Sequence, residues 1–102
     1  MLAIDKEGFL IHLNDWQKSV ANELAQNDHL ELNNDHWEVI YFLRDFYQQY
    51  QTAPTVRILV KELAKKLGTE KGNSIYLQQL FPDGLLQQGS KIAGLPKPVR
   101  CL

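Results

Sequence analysis

The chain has 102 residues, 44% of them hydrophobic and 23% charged, with a net charge of −1. That is enough chain for one hydrophobic core without staples, and a single cysteine excludes an internal disulfide. No apolar run reaches bilayer-spanning length and residues 1–7 lack the pattern of a signal peptide, so a reducing cytoplasm with no membrane partner is expected.

In chain order, residues 3–5 and 8–11 flank Asp5-Lys6-Glu7-Gly8, which predicts a small β-hairpin with Gly8 supplying a positive φ. Such a hairpin is marginal alone and must pack on something else. Asn14 or Asp15 then caps a helix to about Gln26, where Trp16, Val20 and Leu24 form one apolar stripe. Asn27-Asp28-His29 breaks it, and Asn33 or Asn34 caps a longer helix to about Tyr50. Its apolar residues, from Trp37 to Tyr50, cover more than half the circumference. This predicts the central, most buried helix, with Trp16, Trp37 and the helical tyrosines in the core.

Thr55 caps a third helix to about Leu67, with Val56, Leu59, Val60, Leu63 and Leu67 facing inward. Lys65 and Lys66 suit its last turn, and Gly68 stops it at a C′ position. After a turn at Lys71-Gly72-Asn73, Asn73 caps a short helix through Leu80. Pro82-Asp83-Gly84 breaks again, Asp83 is the candidate cap of a last short helix toward Ser90, and Gly84, Gly89 and Gly94 read as turn residues. Beyond Gly94, Leu95-Pro96-Lys97-Pro98 predicts an extended, mobile segment biased to polyproline II. The fold class is therefore mostly α (α+β): a compact bundle of about five helices with a small N-terminal hairpin. Residues 1–93 form one domain and 94–102 a flexible arm.

Charge is unevenly divided. Residues 1–54 carry three Lys/Arg and nine Asp/Glu; residues 55–102 carry eight and three. This is either chance segregation on a solvated surface or a basic surface that steers toward an acidic partner or RNA.

Cys101 is the residue with chemistry. A penultimate thiol on a stiff arm has little to pack against but can reach into another protein: residues 94–101 span roughly 25 Å when extended. Pro96 and Pro98 reduce the entropy lost on insertion. The thiolate is the nucleophile, and at an ordinary pKa only about 3% is ionised at pH 7. Arg100 favours the thiolate and the chain-terminal carboxylate disfavours it by a similar amount. Lys97, and Arg57 with Lys61 one turn apart on the third helix, are further candidates for supporting the thiolate or docking a partner; the alternative for the pair is a solvated face. His12, His29 and His36 lack metal-ligand spacing and suit surface or capping roles, and no phosphate-binding glycine loop is present. Residues 55–80 have the outline of a helix-turn-helix, but 73–79 offer no cation to base edges, which makes a nucleic-acid-binding regulator the weaker alternative.

The tail Lys91-Ile92-Ala93-Gly94-Leu95-Pro96-Lys97-Pro98-Val99-Arg100-Cys101-Leu102 resembles the C-terminal arm of the DsrC/TusE family of sulfur-carrier proteins. Gly8-Phe9-Leu10, Asp15-Trp16, His36-Trp37-Glu38-Val39-Ile40, Pro54 with Arg57, and Phe81-Pro82-Asp83-Gly84 extend the resemblance along the whole chain. Family members linked to dissimilatory sulfite reductase carry a second tail cysteine where this chain has Ser90, so the sequence is similar to the single-cysteine branch. That resemblance implies that Cys101 accepts a persulfide sulfur from a TusBCD-like complex, on its TusD-type subunit. It would pass the sulfur to an MnmA-like thiouridylase making 2-thiouridine at the tRNA wobble position, with tRNA an indirect partner. It implies no cofactor besides the covalent persulfide. A DsrC-like partnership with a sulfite reductase is the remaining alternative, against which Ser90 stands. The tail departs from the family in having Val99-Arg100 where Thr-Gly is common.

Overall fold

A computed structural model describes residues 3–98. The longest helix begins where a polar side chain can satisfy its first amides. Asn33 Oδ1 accepts from the backbone N–H of Asp35 at 2.9 Å and of His36 at 3.3 Å, and the Asn33 N–H donates back to His36 Nδ1 at 3.2 Å. This capping box starts a helix at Asn34. The buried His36 ring is then held edge-on to Phe81, with Nε2 donating to the Leu80 carbonyl at 2.8 Å. His36 thus has the capping role expected of it, but inside the molecule.

Five α-helices follow one another among the described residues: α1 Lys18–Asn27, α2 Asn34–Tyr50, α3 Val56–Leu67, α4 Ser74–Leu80 and α5 Leu85–Ile92. Thr55 and Asn73 cap α3 and α4 as expected. Gly68, with φ +95°, stands at the C-cap of α3, one position earlier than predicted. None of these helices is long and apolar enough to cross a membrane.

Several expectations need correction. Ile4 and Leu10 form one isolated antiparallel bridge, and no strand exists among the described residues. Asp5 Oδ1 accepts from Glu7 N and Phe9 N, closing a compact side-chain-to-backbone turn, and only Phe9 and Leu10 reach the core. A longer ladder would bury nothing more, so pairing does not propagate. The first helix also starts late. Leu13–Asp15 is a short 3-10 turn, Trp16 is extended, and Gln17 precedes α1. Trp16 is drawn out of the helix by contacts with the far end of the chain, described below. Asp83 is not the cap of α5; Gly84 is, while Asp83 accepts from the Gln88 side chain at 3.3 Å.

The last correction concerns the centre of the molecule. Five of the eight residues of α5 are buried, against five of the seventeen of α2. α5 packs against α1, α2 and α4, so even Gln88, Gly89 and Ser90 are enclosed. Gly89 is a helix-interior contact, not a turn: a Cβ there would lie 3.0 Å from Leu43 Cδ1. Gln88 is satisfied, donating to Asp28 Oδ2 at 3.2 Å and accepting from Asp83 N–H at 3.1 Å. Lys91 adds an ion pair to Asp28 at 2.7 Å, with both side chains mostly shielded. The aromatic residues expected in the core lie at its edge instead. Trp16 and Trp37 are half-buried, and Tyr41 and Tyr50 are exposed.

Candidate functional site

The arm is rooted at the C-terminus of α5, where the last helical carbonyls need donors. Two come from the chain itself: Gly94 N–H donates to Lys91 O at 3.1 Å and Leu95 N–H to Ser90 O at 2.9 Å. This is a Schellman ending, which requires a left-handed residue after the cap, and Gly94 has φ +73°. Leu95 turns back into the core and is only 5% exposed.

Two more donors arrive from distant side chains. Trp16 Nε1 donates to Ile92 O at 2.9 Å and Arg44 Nη1 to Ala93 O at 2.6 Å. The Arg44 guanidinium lies 3.9 Å over the Trp16 ring, joining the two clamps through a cation–π contact. Burial lowers the Arg44 pKa, offset in part by the charge of Asp45 and by Tyr41. The Gly94 backbone lies so close to the indole that any Cβ would collide with Trp16. Every acceptor at the end of α5 is therefore engaged, and the arm departs from a fixed point.

Beyond Leu95, Pro96 and Lys97 are exposed and Pro98 is half-buried. Lys97 Nζ reaches Glu7 at 2.6 Å, a solvent-facing ion pair that lays the segment against the N-terminal turn. Arg57 and Lys61 stand exposed on α3, and among the described residues no hydrogen bond or ion pair joins either to Lys97. Arg100 and Cys101 lie outside the described residues. Ser90, where the two-cysteine branch has its second thiol, is fully buried, and its Oγ has no hydrogen-bond partner among the described residues. No metal-holding cluster of His, Cys, Asp or Glu occurs among the described residues. A cavity of about 560 Å³ beside the α1–α2 connection is lined by Asn22, Gln26, His29, Leu30, Glu31 and Leu32, none of them a site residue predicted from sequence. The seven-residue α4 carries no cation.

Sequence reasoning missed Trp16 and Arg44 as the clamp of the arm. Two signals were available. Trp37, Tyr41 and Arg44 recur at i, i+4 and i+7 on one face of α2, and a Gly-Leu pair follows a helix end.

The family model described as "DsrC like protein" matches residues 1–102. The chain belongs to the DsrC-like family. Among curated members of this family, "Sulfurtransferase TusE homolog" of Haemophilus influenzae is 56% identical over 96% of this chain and 90% of its own. "Sulfurtransferase TusE" of Sodalis glossinidius is 52% identical over 99% and 94%. Among solved DsrC-like structures, Allochromatium vinosum DsrC superposes with a TM-score of 0.89 at 53% identity, covering 99% of this chain and 90% of that one. The oxidized gamma-subunit of dissimilatory sulfite reductase (DsrC) from Archaeoglobus fulgidus gives 0.87 at 39% identity, covering 99% and 92%.

Proposed function

We propose that this protein is a sulfur-relay sulfurtransferase that carries sulfur as a persulfide on Cys101. The observation that carries the reading is the match, over nearly the full length, to relatives named sulfurtransferase TusE. A rigid root beneath a short reachable arm supports it, because a carrier must present its sulfur from a defined place. In the loading step the Cys101 thiol first gives its proton to solvent. The thiolate attacks the outer sulfur of a donor cysteine persulfide, and the donor S–S bond breaks as the new one forms. The donor sulfur leaves with the electron pair and takes up a proton. One S–S bond replaces another, so no external oxidant or reductant is needed. Delivery is the same exchange in reverse, with a cysteine of the acceptor as nucleophile.

The donor we propose is a TusBCD-like complex and the acceptor an MnmA-like tRNA thiouridylase forming 2-thiouridine, in the cytoplasm, without a resident cofactor. Exposure to a persulfide donor followed by intact-mass measurement tests the carrier role. Wild type should gain one sulfur atom and Cys101→Ser none, with the melting temperature unchanged. Equal gain on both proteins would refute it.

A further inference from the structure

Beside the arm root runs a row of aromatic rings at the edge of the core, with Tyr41 exposed between two half-buried tryptophans. Tyr41 stacks on Trp37 with centroids 5.8 Å apart and meets Trp16 edge-on at 6.5 Å, yet remains 40% exposed. Trp16 is fixed by its bond to Ile92 O and by Arg44, so this ledge is held in place before any partner arrives. We propose that the Trp16–Tyr41–Trp37 ledge is where the sulfur-donating protein docks while the arm enters its persulfide cleft. The proposal rests on the sulfur-relay reading above.

Reach supports the placement. Leu95 is anchored, and the six residues from it to Cys101 extend at most about 20 Å. A donor cysteine that meets Cys101 therefore lies within that distance of the root, where the surface around the root is within the donor's reach. The ledge begins there, since the Gly94 backbone touches the Trp16 ring, and its two ring-to-ring steps stay inside that radius. The chemistry also fits: Trp, Tyr and Arg are the residue types that dominate protein–protein binding energy, and pre-fixed rings lose little entropy on association. The partner's matching surface is an apolar rim around a cleft whose persulfide-bearing cysteine lies within the arm's reach.

The test compares two sulfur sources on the full chain. Inorganic polysulfide needs no docking; a persulfide-loaded TusBCD-type complex from the same cells does. With the complex at sub-saturating concentration, Tyr41→Ala should load at least about tenfold more slowly than wild type. Polysulfide should load the two equally, and Tyr41→Phe should behave as wild type. A photo-crosslinking benzoylphenylalanine at position 41, which keeps a ring there, should attach to the donor; this decides the matter if Tyr41→Ala does not fold. Wild-type loading of Tyr41→Ala by the complex, equal slowing with both sources, or no crosslink overturns the docking site. If polysulfide loads wild type but the complex does not, the docking site and the TusBCD-like donor fall while the carrier role of Cys101 stands. If neither source loads wild type, the sulfur-relay reading falls and takes the docking site with it.

Discussion

α3 and α5 show how little an apolar stripe says about depth. α3 has the cleaner pattern, five aliphatic residues on one face, yet only Leu59 and Leu63 are buried, and Val56 and Ile58 are 39% and 40% exposed. α5 has fewer apolar residues and carries Gln88, Gly89 and Ser90 in its middle, yet it is enclosed by α1, α2 and α4. A helix covered on one side buries a stripe. A helix covered on three sides buries whatever lies there, here the small Gly89 and Ser90 and the hydrogen-bonded Gln88. The difference has a functional side, because the enclosed helix supports the arm.

The contrast can be broken at single positions. Ile92→Ala, at a fully buried site in α5, should cost about 3 kcal/mol in urea unfolding. A cost under about 1 kcal/mol would mean that α5 is not the centre. Gly94→Ala combines a left-handed φ of +73° with a collision against Trp16 and should cost about 2–3 kcal/mol. Its trypsin cleavage after Lys91, at the end of α5, should also quicken as the root loosens; unchanged stability would show that the clamp does not constrain the arm. Ser90→Ala removes a buried hydroxyl that has no partner, so stability should hold or rise by up to about 1 kcal/mol. A clear loss would reveal a bond to Oγ in solution. Ile58→Ala, on the exposed face of α3, should change stability by no more than about 0.5 kcal/mol.

Much of the local structure was legible. Asn33, Thr55 and Asn73 accept from the first amides of their helices because short polar side chains reach them without tertiary help. The arm's composition points to Cys101 as the candidate reactive residue. The errors share one origin. Trp16 has the spacing of a helical core residue, but its indole N–H finds the Ile92 carbonyl, 76 residues away, and the helix starts after it. Gly89 looked like a turn because sequence does not show Leu43 pressing on it. Nothing in the sequence marks the partner of Arg44, because the Ala93 carbonyl it serves is distant in the chain.

By itself, then, the sequence determined the helix count, the caps at Asn33, Thr55 and Asn73, and the family resemblance, since these depend largely on neighbours within a few residues. The tertiary structure decided which helix lies at the centre, that the N-terminal turn stops at one bridge, and that the arm rises from a clamped base beside an aromatic ledge. Those outcomes depend on contacts between segments far apart in the chain, and local periodicity carries no record of which segments meet.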